Sequence, residues 1–196
     1  MTASGGDVNG FEFELEPVEE DHLSGYRGVV GRFGHVDVYT ELRRAGQAPS
    51  RQAHLKGDRF PETLFSGGMQ SMPSLDGGWL KVDGTVAGLE LVVKGLRRKS
   101  RWLEISYRDR QYTYVTGRDC VLAREGATVS LRYGRVVRGV GATKLGTAAG
   151  EVDPTDLAVA IVLELVDTSA LSTIGALLSI PESIFFTPSR GEGPIA

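Results

Sequence analysis

The chain has 196 residues, 41% hydrophobic and 24% charged, with a net charge of -3, the balance of an ordinary globular protein long enough to bury one sizeable core. Its one cysteine, Cys120, excludes an internal disulfide, and no basic start followed by an apolar run marks a secretory signal, so a cytoplasmic protein is expected. Charge is segregated: residues 1–21 carry seven acidic groups and no basic one, whereas residues 94–144 carry 13 Lys or Arg against four Asp or Glu.

Residues 1–10, "MTASGGDVNG", read as a flexible N-terminus, followed by a single domain over 11–186. Apolar residues alternate with polar ones in "GFEFELEP", which puts Phe11, Phe13 and Leu15 on one face of a strand. "YRGVVGRF" and "HVDVYTELRR" are two further strands. Gly, Pro and Ser then break the pattern over 45–78, and a long loop with short ordered pieces is expected there.

In "GWLKVDGTVAGLELVV" the Asp83-Gly84 pair joins two strand-like runs, the composition of a two-residue type I′ hairpin whose central residues both take positive φ. "RWLEISYRDRQYTYV" is a second hairpin, with Leu103, Ile105 and Tyr107 on one face and Tyr112 and Tyr114 returning. "VLAREGATVSLRYGRVVRGVG" turns at Glu125-Gly126. The following "RGVGATKLG" lacks the glycine and hydroxyl spacing of a phosphate loop and reads as a flexible turn.

The most apolar segment, "VDPTDLAVAIVLELVD", is interrupted by Glu164 and Asp167 and is too short for a bilayer span, which needs about 20 apolar residues. Asp153 before Pro154, with Asp156 three positions on, marks a helix start, so a helix is expected near 154–167. At about 100° per residue, Asp156, Glu164 and Asp167 fall within a narrow arc, which predicts an acidic stripe facing water on a helix otherwise enclosed by strands. A looser helical piece, "LSTIGALLSI", and a flexible tail over 187–196 complete the chain.

The fold expected is mainly β, an antiparallel closed or strongly curled β-barrel around a hydrophobic C-terminal helix. Antiparallel strands of modest length ending in the helix "DLAVAIVLELVD" resemble the tubby C-terminal-like superfamily, which includes phospholipid scramblases and LURP-one-related proteins. The resemblance covers roughly residues 26–170 and implies a closed barrel around a C-terminal helix; it carries over no binding residue.

His22, His35 and His54 lie without metal-ligand spacing, so neither metal nor cofactor is expected, and no catalytic residue can be named. Cys120 reads as a small buried hydrophobe rather than a nucleophile. Basic and aromatic residues interleave in "KGLRRKSRWLEISYRDR", and Arg97, Arg98, Lys99, Arg101 and Trp102 are the candidate ligand-binding residues, placed at an exposed connection. The expected function is a non-enzymatic binding module for anionic lipid headgroups or an acidic protein surface. The alternative is a scaffold that binds another chain through a sheet edge or the C-terminal "SIFF" segment; nucleic acid is disfavoured by the acidic pI of 5.7.

Overall fold

The computed structural model describes residues 10–20, 23–43, 50–67, 72–94 and 100–171. Twelve antiparallel strands close into a barrel: β1 (Phe11–Glu20), β2 (Leu23–Val29), β3 (His35–Arg43), β4 (Ser50–Gly57), β5 (Thr63–Ser66), β6 (Trp79–Val82), β7 (Thr85–Val93), β8 (Arg101–Tyr107), β9 (Arg110–Val115), β10 (Cys120–Arg124), β11 (Ala127–Val137) and β12 (Gly141–Gly150). Each strand pairs with its neighbours in sequence, and β1 closes onto β12 from Phe11 opposite Ala148 to Leu15 opposite Lys144. Closure leaves neither sheet edge open over the paired length.

Alternation drives the wall. In β8 and β9 Leu103, Ile105, Tyr107, Tyr112 and Tyr114 are all buried, while the residues between them face outward or lie at the surface. The Asp83-Gly84 turn has φ of 46° and 77°, the paired left-handed conformation that a type I′ hairpin needs. Eight strands make a lumen that side chains alone can fill, so twelve leave room for more. That room is taken by α1 (Pro154–Leu163), since a helix with its side chains is about 10–12 Å across.

The helix begins as its sequence demands. Asp153 accepts hydrogen bonds from the backbone of Thr155 and Asp156, Asp156 reaches back to the backbone of Asp153, and Pro154 occupies the first turn. Every residue from Asp156 to Leu163 is buried. The α-helix stops at Leu163; tighter turns carry the chain to Asp167, which bridges to Ser74.

Three expectations are corrected. Residues 45–78 are not one long loop: β4 and β5 are wall strands, with Ala53 opposite Phe65 and Leu55 opposite Thr63. "GATKLG" is not a flexible turn, because Gly141 to Gly146 form the first half of β12. The helix shows no acidic stripe to water: Asp156 is 2% exposed, and the Glu164 side chain only 3%. Beyond Leu171, the expected second helical piece and the tail lie outside the described residues.

Candidate functional site

A carboxylate inside a barrel must meet a partner there, because an isolated buried charge is prohibitively costly. The two helix carboxylates meet theirs at opposite ends of the lumen. Arg124 grips Asp156 with two parallel bonds, Nε to Oδ1 and Nη2 to Oδ2, both 2.8 Å. The Tyr112 hydroxyl donates to Oδ1 at 3.1 Å, and Arg110 binds Asp153 at 2.6 Å. Burial, opposed by Arg110, pushes the Tyr112 hydroxyl up to about 12. Every oxygen of Asp156 is satisfied, so this end is a latch that fixes the start of α1.

The other end is built differently. Lys144 projects inward from β12, and its Nζ meets Glu164 Oε2 at 2.5 Å, the two side chains being 4% and 3% exposed. Burial alone would lower the Lys144 pKa, but the charge of Glu164 and the bond to it outweigh burial and hold it above its ordinary value. Tyr133, opposite Lys144 in the β11–β12 pair, lays its ring 3.5 Å from Nζ while remaining 70% exposed. Burial, then the Glu164 charge, raises the Cys120 thiol, so it is held as a thiol and not as the nucleophilic thiolate.

Beside this ion pair opens a cavity of about 320 Å³, walled by Tyr114, Tyr133, Cys120, Leu163 and Val166. Among the described residues, three buried side-chain oxygens lack a hydrogen-bond partner: Asp119 Oδ1, Thr143 Oγ1 and Glu164 Oε1. All three belong to the half of the barrel where α1 ends, and none to the Asp156 latch. Unsatisfied buried polar groups are rare in native folds, and each calls for an explanation.

The rim outside the cavity is cationic. Pairing of β10 with β11 ends at Cys120 opposite Leu131, so β11 runs on to Val137 against β12 alone, with a bulge between Tyr133 and Val136. Arg118, Arg132, Tyr133 and Arg135 line an open groove of about 450 Å³ along that stretch. Arg135 is tied to Glu14 and Glu16. Arg118, Arg132 and Arg138 are exposed and meet no carboxylate among the described residues. On the stretch that carries Arg132 and Arg138, Val136 is 83% exposed and Val140 42%.

The five residues singled out from sequence divide. Arg97, Arg98 and Lys99 lie outside the described residues; of their neighbours, Val93 at the end of β7 pairs with Arg101 at the start of β8. Arg101 is 4% exposed, a buried residue rather than part of an exposed edge. Trp102 is half-buried on the wall, its indole N–H donating to Glu104 at 2.9 Å and Lys94 lying 4.9 Å from its ring centre. Sequence reasoning missed Lys144, Tyr133 and the unpaired arginines. The available signal was "RYGRVVRGV", where the apolar alternation fails and an arginine recurs every third position.

Among the described residues no group of His, Cys, Asp and Glu is placed to hold a metal, and no helix is long and apolar enough to cross a membrane. No protein-family model, curated protein or solved structure matches this chain.

Proposed function

We propose that the protein is a non-enzymatic binding module that presents the cationic rim around Tyr133 to an anionic lipid surface at the cytoplasmic side of a membrane. The observation that carries the reading is the exposure of Arg118, in the β9–β10 connection, and of Arg132 and Arg138, on the end of β11 and its turn, without carboxylate partners among the described residues and beside Tyr133, Val136 and Val140. Basic residues near an acidic bilayer are each worth about 1 kcal/mol, and aromatic residues favour the headgroup layer. The lumen is filled by α1, which leaves the rims and the outer wall for binding. A closed barrel around a buried helix is also what the tubby-like resemblance implies, and membership of that superfamily is part of the proposal.

Flotation with vesicles tests it. Wild type is expected to float with phosphatidylserine-containing vesicles and not with phosphatidylcholine alone, and to be released by salt as screening shortens. The variant R118E/R132E/R138E should lose this binding with its melting curve preserved. A parallel R97E/R98E/K99E variant measures the share of the β7–β8 connection. No flotation of wild type at low salt removes the lipid reading. The second reading, a scaffold, draws on the edge of β11 left unpaired beyond Leu131, which offers backbone groups to another strand; a large native mass without lipid binding favours it.

A further inference from the structure

Beyond Ala87, β7 loses one of its two neighbours. Its pairing with β6 ends at Leu80 opposite Ala87, whereas its pairing with β8 runs on to Val93 opposite Arg101. Lys94 donates its N–H to the Ser100 carbonyl at 2.8 Å, and ladder bonds alternate in an antiparallel pair, so Leu89, Leu91 and Val93 turn their N–H and C=O groups to the open side. No backbone bond from the described residues meets them there. Native folds blunt an open edge with charges, proline or a bulge. The strand "TVAGLELVV" has one charge, Glu90, no proline, and an unbroken register with β8 from Gly88 to Val93. Leu91 shares a face with buried Leu103, and Val93 with buried Arg101, yet the two are 44% and 51% exposed.

Charge decides which strand fits along this edge. Glu90, Val92 and Lys94 alternate onto the outer face, where Glu90 stands opposite Glu104, like charge against like. Neither Glu90 nor Lys94 has an ion-pair partner among the described residues; Lys94 rests over the Trp102 ring. If the same strand of a second copy lies antiparallel about Val92, each Lys94 falls opposite the Glu90 of the other copy, and each Leu91 opposite the other Val93. Centred on Glu90, the pairing would set that carboxylate against itself; centred on Leu91, it would leave Glu90 facing Val92. We propose that two copies of the chain associate through this edge, β7 against β7 in antiparallel register about Val92, with a Glu90–Lys94 ion pair at each end on the outer face and Leu91 and Val93 covering one another on the inner face. The contact is isologous and independent of the lipid reading. A strand edge is a small interface, so the association is weak and concentration-dependent.

Sedimentation equilibrium of the full-length chain at low salt, up to about 1 mM, is the test, since even a contact of millimolar affinity populates a dimer there. Wild type should show a monomer–dimer equilibrium. Glu90→Lys or Lys94→Glu sets like charges opposite one another at both ends of the symmetric pair, so each should weaken association about tenfold. The double variant E90K/K94E restores opposite charges in reversed order and should associate nearly as wild type does. Both side chains are exposed, so the melting curves should not differ. A chain that stays monomeric throughout, single variants that associate like wild type, or a double variant as weak as the singles would each overturn the proposal. Cross-linking reads the register. Directly opposite residues at a non-hydrogen-bonded position have Cα atoms about 4.5 Å apart, within reach of a disulfide. Diamide should therefore convert V92C/C120S to a covalent dimer and leave V86C/C120S monomeric, because Val86 is exposed but lies within the β6 pairing. No cross-link at position 92, or equal cross-linking at both positions, would remove β7 as the seam. If V92C/C120S does not fold, the charge variants decide alone.

Discussion

Lys144 and Glu164 stand or fall together. Removing one member of a buried pair leaves the other charge without compensation, at a cost of about 3–5 kcal/mol, whereas replacing both by apolar residues of similar volume is often close to neutral. Lys144→Met should therefore lower the urea midpoint sharply, and K144M/E164L should restore most of it. A silent Lys144→Met would mean that Glu164 is solvated. The Asp156 latch is read in alkali. Folding raises the Tyr112 pKa to about 12 from an ordinary value near 10, so the neutral hydroxyl is the form the fold prefers. Its contribution is complete below pH 10 and is lost as pH rises through 12, on the order of 2 kcal/mol in all. Tyr112→Phe should flatten the fall in stability over that window; an unchanged profile would place Tyr112 outside the latch. Both carboxylates stood out in the sequence, but as a stripe facing water, which their burial overturns. Their partners did not: Arg124 follows a run that reads as a strand end, and Lys144 sits in a glycine-rich stretch, so nothing local says that either side chain points inward.

At the scale of elements, α1 was legible because its start carries three agreeing signals, Asp153, Pro154 and Asp156. The hairpins at Asp83-Gly84 and Glu125-Gly126 were legible because turn chemistry and alternation coincide there. β4 was not, since its buried apolar side chains are only Ala53 and Leu55, and its buried Gln52 is matched to Ser66 at 3.2 Å. Such a strand draws its stability from ladder bonds and from contact with the helix rather than from its own pattern. The central place of α1 predicts that Ile161→Asp, a carboxylate introduced among apolar neighbours, unfolds the domain. An Ile161→Asp chain that melts like wild type would remove α1 from the core. Packing of the wall is equally close at β12. A Cβ on Gly146 would stand 2.1 Å from the Phe13 ring, which is itself pressed against Phe11. Gly146→Ala should thus cost about 1–3 kcal/mol by overpacking, and Phe13→Leu in the same chain should recover part of it. Additive losses in that double variant would show that the two residues do not meet.

On the scale of the whole molecule, the barrel has two unlike ends. Where α1 begins, ion pairs satisfy every oxygen of Asp156 beside an open hollow lined by Phe11, Arg32, Val152 and Asp153. Where it ends, a cavity, three unsatisfied buried oxygens and unpaired arginines share one rim. The excess of basic over acidic residues across 94–144 was visible in the sequence; the gathering of arginines at this rim depends on strand direction and closure, which composition does not encode. Hydrogen–deuterium exchange of the intact chain, with and without phosphatidylserine vesicles, tests most directly which end works. Binding through the cationic rim predicts slowed exchange over residues 116–119 and 132–140, with no change at the opposite turns, 83–84 and 125–126. Protection confined to those opposite turns, or none anywhere with the protein present on the vesicles, would contradict it.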